Sequence, residues 1–305
     1  MKKSRIVVIG SGAVGATTAY TLMLRNRADE LVLIDSNEKK AAGDALDMNH
    51  GIPFLGTTKL WAGTYADCQE ADIIIITAGA AQREGEPRTE LLKRNTVIMD
   101  NIMNEVMKHN SSGIILLASN PVDVMSYYAW RKSGLPVSRV IGSGTLLDSA
   151  RFRYLIGSHL SIDPRSVHAH IVGEHGDSEL PVWSLANVAG TKLELSDEDK
   201  DHIFTNTRDA AYEIISAKGA TYYAIALALD RICTAILRDE GAVLNVSTLL
   251  EDYHGISDVY LGVPCIVDRG GVREVLKLDL SDSEVELLNR SAAKLKALNA
   301  SITIE

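Results

Sequence analysis

The 305-residue sequence contains few cysteines and few aromatic residues. The three cysteines, Cys68, Cys233 and Cys265, lie far apart, and none belongs to a Cys-x-x-Cys motif or shows the spacing of a metal site. This excludes a disulfide framework of the kind found in small secreted proteins. We predict that the cysteines are reduced thiols inside a cytoplasmic protein.

The sequence also lacks an excess of positive charge and a long apolar run. Its 31 basic and 40 acidic residues give a net charge of −9, which disfavours binding to nucleic acid and to anionic membranes. No segment approaches the roughly eighteen apolar residues of a membrane-spanning helix. The N-terminal sequence MKKSRIVVIG has an apolar run of only four residues, which is too short for a signal peptide. We therefore expect no nucleic-acid or membrane partner, and anionic ligands should bind at local clusters of donors.

The first half of the sequence alternates short apolar runs with helical patterns. Unbroken β-branched runs favour strands that are buried on both faces, as in a parallel sheet. Alternation of strand and helix to about residue 142 predicts an α/β fold with a doubly wound parallel sheet of the Rossmann type. The predicted strands are Ile6–Ile9, Leu31–Ile34, Ile73–Ile76, Ile114–Leu117, Val140–Ile141 and, with a weaker pattern, Lys59–Trp61.

The second half has a different pattern and predicts a second, mixed α+β domain. We assign residues 1–142 to the first domain and residues 143–305 to the second. The second domain should close over the crevice at the carboxyl ends of the strands, where ligands bind in such sheets. Its predicted elements are a helix around Leu146–Ile156, a strand at 166–172, a polar loop at 173–181, a long helix through Asp209–Leu237, strands near Leu244–Leu249 and Ser257–Val267, and a final helix at Ser283–Leu298 capped by Ser281 or Asp282.

A glycine motif follows the first predicted strand, in IVVIGSGAVGA. Gly10 permits a tight turn, Gly12 lets the backbone approach a pyrophosphate, and Gly15 lets the following helix pack closely. Asp35 ends the second apolar run twenty residues after Gly15, where the acid that binds the ribose belongs. The motif predicts a dinucleotide site that also includes Val14. Because Asp35 repels a 2′-phosphate, the expected cofactor is NAD.

Four charged residues elsewhere are candidates for catalysis. His175 lies in the polar loop GEHGD, although a lone histidine is more often structural than catalytic. Asp148 and Arg151, in LLDSARFR, are three residues apart and share one helical face. Arg88 ends the charged loop GAAQREGEPR.

The sequence resembles the L-lactate/malate dehydrogenase superfamily nearly from end to end, and specifically its bacterial L-lactate dehydrogenases. The resemblance implies reversible hydride transfer between NADH and pyruvate, giving L-lactate and NAD, in a homotetramer. The segments that carry it are long and specific: IGSGAVGA, ITAGAAQREGEPR, ASNPVDV, VIGSGTLLDSARFR, DPRSVHAHIVGEHGDSELPVW and KGATYYAIA.

The resemblance implies a role for each catalytic candidate. His175 would give a proton to the substrate carbonyl during reduction and remove it during oxidation, while Asp148 would orient the ring and stabilise the imidazolium. Arg151 would bind the substrate carboxylate at two points. Arg88 would move in with its loop and polarise the carbonyl.

Three further site residues follow from the same resemblance. Asn120, which precedes Pro121 in a cis peptide bond, would contact the substrate and the cofactor. Thr221 and Ile225, in KGATYYAIA, would line the substrate and nicotinamide pocket.

The resemblance implies that Gln82 contacts the C3 group of the substrate and so determines substrate specificity. Malate dehydrogenases have arginine at this position, where it pairs with the second carboxylate of oxaloacetate. An arginine enclosed beside a methyl group would be a buried, unpaired charge at a cost of about 3–5 kcal/mol, so Gln82 favours pyruvate. Ala81 departs from the arginine found in many lactate dehydrogenases, and Arg83 could take over part of that role.

Arg153 and His168 match the positions at which bacterial lactate dehydrogenases bind fructose 1,6-bisphosphate between subunits. One arginine and one histidine from each of two chains would bring up to four positive charges to two phosphates. The alternative is a structural role for both residues, since vertebrate relatives that are not regulated keep them. His168 and His170 form a His-x-His pair, but the sequence offers no third ligand, so we expect no metal.

Two other functions are compatible with this sequence. One is a dehydrogenase of malate or of a bulkier 2-hydroxy acid in the same superfamily; Gln82 argues against malate, and the width of the pocket near Thr221 would decide the rest. The other is a non-catalytic NAD-binding or sensor protein. The presence of all four catalytic candidates argues against it, because binding alone needs none of them.

Overall fold

The structure, a computed structural model, describes residues 3–80 and 88–302, without the side chains of Arg88 and Thr89. Within these ranges the chain forms strands β1 (Arg5–Ile9), β2 (Glu30–Ile34), β3 (Lys59–Ala62), β4 (Ile73–Ile76), β5 (Ile114–Leu117), β6 (Val140–Gly142), β7 (Val167–His168), β8 (Ile171–Val172), β9 (Leu180–Pro181), β10 (Asn187–Val188), β11 (Thr191–Lys192), β12 (Ala242–Leu250), β13 (Val259–Asp268) and β14 (Gly271–Val275).

Helices alternate with the strands of the first half and flank those of the second. Helix α1 packs against α7, and α3 packs against α4. The α-helices of the described ranges are α1 (Ala13–Leu24), α2 (Glu38–Gly51), α3 (Arg88–His109), α4 (Val122–Ser133), α5 (Leu146–Leu160), α6 (Asp197–Lys218), α7 (Tyr223–Arg238) and α8 (Asp282–Asn299).

The strands of the first half form a parallel sheet in the order β3-β2-β1-β4-β5-β6. Ile6 lies opposite Leu31 on one side and Ile73 on the other. The apolar side chains of the central strands are buried, as expected where helices cover both faces of a sheet. The doubly wound parallel sheet predicted from the sequence is confirmed.

The same sheet continues into the second half, which the sequence did not indicate. Strand β12 lies antiparallel beside β6 through the pair Ser247 and Gly142, and β13 and β14 follow. A Cβ on Gly142 would lie 2.8 Å from the Ser247 Cβ, so glycine permits this close approach. The pairing covers the edge of β6, whose backbone groups would otherwise lack partners. The two halves therefore share one hydrophobic core.

The long helix predicted through Asp209–Leu237 is wrong in its continuity. The chain forms α6 and α7, separated by residues 219–222. Gly219 has φ +82°, and its N–H donates to the carbonyl of Ile215. A glycine in the left-handed region ends a helix in this way, because continuing the helix would require a right-handed residue there.

The single strand predicted at 166–172 is also wrong. Strand β7 pairs with β10, whereas β8 pairs with β9 in a separate small sheet. The carbonyl of His170, between the two strands, accepts a hydrogen bond from Val182 N at 2.9 Å. The alternation of apolar and polar residues continues across this point because it depends on which side chains are buried. It does not depend on which strand is the pairing partner.

The final helix is confirmed, with the expected cap. Ser281 accepts a hydrogen bond from Glu284 N, and the Glu284 carboxylate accepts one from Ser281 N. This reciprocal capping box stabilises the start of α8.

No helix in the described part of the chain is long and apolar enough to cross a membrane. Cys68, Cys233 and Cys265 are buried and free. Burial raises the pKa of each thiol above its ordinary value, so all three remain neutral, space-filling groups.

Candidate active site

The turn between β1 and α1 has the geometry of a dinucleotide-binding turn. Gly10 has φ +103°, and a Cβ there would lie 2.5 Å from Ala78 N. A Cβ on Gly15 would lie 1.7 Å from the Gly10 carbonyl oxygen, so only glycine allows this contact between helix and turn. A Cβ on Gly12, in contrast, would have no neighbour within 4 Å, and the backbone there is open to a ligand at the N-terminus of α1. Val14, in the first turn of α1, packs against the core.

Asp35 follows β2 directly and is fixed beside this turn. Its Oδ2 accepts a hydrogen bond from Ser11 N at 2.6 Å, and its Oδ1 accepts one from Asn37 N at 2.8 Å. The nearby Lys40 Nζ lies 2.6 Å from Asp44 Oδ2, which offsets its positive charge. The carboxylate of Asp35 therefore suits a ribose 2′-hydroxyl better than a 2′-phosphate. The residues present fit NAD.

The structure brings His175, Asp148 and Arg151 together. His175 Nδ1 lies 2.5 Å from Asp148 Oδ2, and Arg151 Nη1 donates to Asp148 Oδ1 at 2.8 Å. Helix α5 carries Asp148 and Arg151 one turn apart, while His175 comes from the loop after β8. Because Asp148 engages Nδ1, the Nε2 of His175 is left for proton transfer.

The charges of these residues determine where the proton lies. Burial would lower the pKa of His175, but the carboxylates of Asp148 and Asp123 raise it to about 9. Burial would raise the pKa of Asp148, but His175 and Arg151 hold it below its ordinary value. The pair is therefore an imidazolium beside a carboxylate at neutral pH.

Asp123, a second buried carboxylate, holds the backbone of His175. Its Oδ2 accepts a hydrogen bond from His175 N at 2.8 Å, and its Oδ1 accepts one from Ser247 Oγ at 2.6 Å. Burial raises the pKa of Asp123 to about 6, although both hydrogen bonds oppose the rise. Nothing in the sequence indicates this role of Asp123, because an acid in the first turn of a helix ordinarily indicates only a favourable interaction with the helix dipole.

Glu179, a third carboxyl group, lies within 4.8 Å of Asp148 and His175. It is 7% exposed, and its Oε1 has no hydrogen-bond partner within residues 3–80 and 88–302. Burial and the charge of Asp148 raise the pKa of Glu179 to about 9, so it is neutral at pH 7. Three such groups can surround a cation, but here Asp148 and His175 share a hydrogen bond instead. The expectation of no metal stays a prediction.

Asn120 is exposed between β5 and α4, and its peptide bond to Pro121 is cis. Asn95, a buried residue of α3, donates from Nδ2 to the Asn120 carbonyl at 2.7 Å. Its Oδ1 accepts a hydrogen bond from Ala80 N, also at 2.7 Å. One side-chain amide thus joins the segments that follow β4 and β5. Nothing in the sequence indicates this role of Asn95, because an asparagine within a helix has no distinctive pattern.

Residues 81–87 of the charged loop, which include Ala81, Gln82 and Arg83, lie outside the described residues. Arg88 is the first residue of α3, and its side chain is likewise outside the description. The roles of Gln82 and Arg88 therefore stay predictions.

Thr221 and Ile225 lie on either side of the start of α7. Thr221 is partly buried in the segment between α6 and α7. Ile225 lies in the first turn of α7 and packs against the main core. Their contacts with substrate and nicotinamide stay predictions.

Arg153 and His168 each lie close enough to His170 for their charges to act on it. Burial lowers the pKa of His170, and a hydrogen bond to Asn245 opposes this shift. The charges of Arg153 and His168 lower it further. Arg153 Nε is buried without a hydrogen-bond partner in the described part of the chain, and His168 is exposed in β7. The binding of an anion by Arg153 and His168 stays a prediction.

Two family models match almost the whole chain. Residues 4–142 match the lactate/malate dehydrogenase NAD binding domain. Residues 145–303 match the lactate/malate dehydrogenase alpha/beta C-terminal domain.

Curated relatives and solved structures are similar to the chain over nearly its full length. An L-lactate dehydrogenase from Halalkalibacterium halodurans is 52% identical over 304 residues, covering 99% of this chain and 98% of the relative. One from Acetivibrio thermocellus is 49% identical over 309 residues, covering 98% of each. The crystal structure of a minor L-lactate dehydrogenase from Enterococcus mundtii, in its ligands-bound form, superposes with a TM-score of 0.97 at 43% identity and 99% coverage of both chains.

Proposed function

The chain belongs to the lactate/malate dehydrogenase family, and on that basis we propose that it is an NAD-dependent L-lactate dehydrogenase, which interconverts pyruvate and L-lactate. The observation that carries this proposal is the 2.5 Å contact between His175 Nδ1 and Asp148 Oδ2. This contact supplies a protonated acid at neutral pH on the second half of the chain. The names of the relatives that match the full length support the same activity.

NAD supplies or accepts the hydride when it is bound. Gly12 leaves room for its pyrophosphate at the N-terminus of α1, and Asp35 would accept a hydrogen bond from its adenosine ribose. Ser11 N and Asn37 N fix the Asp35 carboxylate for this contact.

In pyruvate reduction, His175 would donate its Nε2 proton to the carbonyl oxygen as hydride reaches the carbonyl carbon. Asp148 would hold the ring by Nδ1 and stay ionised throughout. Arg151 would pair with the substrate carboxylate, since only its Nη1 contacts Asp148 among the described hydrogen bonds. Arg88 would stabilise the negative charge that develops on the carbonyl oxygen.

We further propose that pyruvate is preferred to oxaloacetate. The support is Gln82, a neutral residue at the position where malate dehydrogenases carry a cation. A dehydrogenase of a bulkier 2-hydroxy acid is the remaining alternative, and the segment around Thr221 would set the width of the pocket.

The test is an NADH-oxidation assay with pyruvate, oxaloacetate and 2-oxoisocaproate. We expect pyruvate to give the highest kcat/KM by several decades, and His175→Ala to abolish turnover while NADH still binds. A preference for either other acid would contradict the substrate assignment. Full turnover by His175→Ala would contradict the assignment of the acid.

We also propose that the protein is a homotetramer activated by fructose 1,6-bisphosphate at Arg153 and His168. The buried Arg153 Nε without a described partner, the exposed His168 and the effect of both charges on His170 support an anion site. Phosphates that bind two chains at once would favour the assembled form. The expected coupling to pyruvate binding is about 1–3 kcal/mol.

The test of this activation is pyruvate saturation with and without millimolar fructose 1,6-bisphosphate, at pH 7.5 and pH 6. Half-saturating pyruvate should fall about fivefold or more with the ligand, and more at pH 6, since a protonated histidine binds phosphate better. His168→Ala should lose the response, and the exposed His202→Ala should keep it. An unchanged half-saturation at both pH values would leave Arg153 and His168 a structural role only.

A cytoplasmic location stays a prediction.

A further inference from the structure

Helix α8 contacts the loop that carries His175. Ser291 Oγ accepts a hydrogen bond from Glu174 N at 2.8 Å, and Lys294 Nζ lies 2.6 Å from Glu174 Oε2. Ser178 Oγ also donates to Glu174 Oε2 and lies 3.1 Å from Ser291 Oγ. Because Glu174 and Ser178 flank His175 in the chain, this network holds the loop on both sides of the histidine.

The network is largely buried. Glu174 is 6% exposed and Ser291 is fully buried. A Cβ on Gly173, which has φ +99°, would lie 3.0 Å from Ser291 Oγ, so loop and helix are in close contact. A buried carboxylate is tolerated only when it is paired and hydrogen-bonded. Lys294 is the cation that pairs with Glu174.

Helix α8 makes a second contact with the chain that follows the His175 loop, at Ser184. Glu284 accepts hydrogen bonds from Ser184 N at 3.0 Å and from Ser184 Oγ at 2.5 Å. Helix α8 thus fixes the segment at 174–178 and again at Ser184. These contacts reach the neighbours of His175 in the chain and not the imidazole itself, so their effect on the reaction would be indirect.

We propose that Lys294, together with Ser291, is a positioning residue for the reaction. By pairing with Glu174, Lys294 fixes the loop backbone and with it the imidazole of His175 relative to Asp148. The inference rests on the proposed dehydrogenase function. Its physical reason is that a displacement of about 1 Å at a catalytic group can reduce the rate on the order of 100-fold.

Lys294 also balances the charge of Glu174, the residue that precedes His175 in the chain. Without it, the negative charge of Glu174 would act on His175 uncompensated and would favour the imidazolium. The fall in the rate of pyruvate reduction at high pH, where His175 loses its proton, should therefore shift to higher pH. The charged and titratable groups that face this part of the site are Asp148 and Arg151 of α5, Asp123 of α4, Glu179 of the loop, and Arg208 of α6.

The experiment compares Lys294→Met and Lys294→Arg with Lys296→Met, which removes an exposed lysine from the same helix. We measure kcat, KM for pyruvate, KM for NADH and the pH profile from pH 6 to pH 10. Lys294→Met should lower kcat about tenfold, shift the fall in rate to higher pH and leave KM for NADH unchanged. Lys294→Arg should restore most of the activity, and Lys296→Met should match the wild type.

The inference would be overturned if Lys294→Met changed neither kcat nor the pH at which the rate falls. It would also be overturned if kcat of Lys294→Arg were no higher than kcat of Lys294→Met. If Lys294→Met does not fold, Ser291→Ala decides the question with the exposed Ser283→Ala as its control. The expected result for Ser291→Ala is again a loss of kcat, and activity equal to that of Ser283→Ala would overturn the inference. A wild type that does not reduce pyruvate would overturn both the proposed function and this inference, whereas an active wild type with unaffected variants would overturn the inference alone.

Discussion

His175 is held protonated by the carboxylates around it. Burial favours its neutral form, yet Asp148, 2.5 Å from Nδ1, and the charge of Asp123 raise its pKa to about 9. An ordinary histidine has a pKa of about 6.5, so the proton would be absent from most such side chains at pH 7.5. In this site the proton is present at neutral pH and is lost only as the pH rises through about 9.

This shift predicts the pH dependence of both directions of the reaction. Pyruvate reduction needs the imidazolium, so its kcat/KM should be constant near neutrality and fall as the pH rises through about 9, while lactate oxidation should rise over the same range. Asp148→Asn removes the charge that raises the pKa of His175, so the fall in the rate of pyruvate reduction at high pH should shift to lower pH. Rate profiles from pH 6 to pH 10 check this.

Asp163→Asn is the matched control for that experiment, since it removes an exposed carboxylate that pairs with Arg165. Its profile should equal that of the wild type. A fall in rate that stays at the same pH in Asp148→Asn would show that another group supplies the proton.

A second prediction at this scale concerns Gln82. Gln82→Arg should raise kcat/KM for oxaloacetate and lower it for pyruvate by at least 100-fold, because an arginine beside a methyl group is an unpaired charge costing about 3–5 kcal/mol. Gln82→Glu, with the opposite charge, should impair both substrates. If Gln82→Arg keeps the preference for pyruvate, Gln82 does not determine substrate specificity.

At the scale of elements, the turn between β1 and α1 separates a glycine needed for folding from one needed for the cofactor. Gly12 has φ −69° and ψ −173°, which alanine adopts readily, and open space surrounds it. Gly15 has no such freedom, because its Cβ would lie 1.7 Å from the Gly10 carbonyl.

We therefore expect opposite outcomes for the two alanine variants. Gly12→Ala should change the free energy of unfolding by less than about 1 kcal/mol but weaken NADH binding at least tenfold, since the new methyl group occupies the place of the pyrophosphate. Gly15→Ala should destabilise the protein by about 1–3 kcal/mol through overpacking. Urea unfolding and NADH fluorescence titration measure the two effects. Equal destabilisation by both substitutions would contradict this division.

At the scale of the whole molecule, helices α1, α2 and α7 expose large apolar side chains. Tyr20 and Leu24 of α1 are each 50% exposed, Leu46 of α2 is 58% exposed, and Tyr223 of α7 is 66% exposed. Helices α1 and α7 pack against each other, and exposed apolar groups on packed helices are typical of a surface that another chain covers. Such a surface is consistent with the proposed homotetramer.

Light scattering should therefore give a mass of four chains of 33.1 kDa each. Leu24→Glu should reduce the mass, because a charge in an apolar interface loses its hydration without gaining a partner. Leu287→Glu, on the exposed face of α8, is the control and should leave the mass unchanged. A single-chain mass for the wild type at micromolar concentration would contradict the tetramer.

The sequence by itself determined what neighbouring residues encode. The six strands of the first half lie within one residue of their predicted bounds, because runs of Ile, Val and Leu specify burial locally. The glycine motif and Asp35 predicted the cofactor, and the N-cap at Ser281 or Asp282 predicted the start of α8, because turn and cap chemistry act over a few residues. His175, Asp148 and Arg151 were predicted together through their resemblance to a family, and the structure brings them into contact.

Only the tertiary structure decided the contacts between distant segments. Asp123 lies 52 residues from its partner His175, and Lys294 lies 120 residues from its partner Glu174. The sequence around each resembles that of an ordinary helix. The raised pKa of Glu179 and the pairing of β12 with β6 likewise depend on which surfaces folding brings together. The physical reason is that burial, and the charges that burial strengthens, are properties of the packed molecule, whereas periodicity and turn chemistry are properties of the chain.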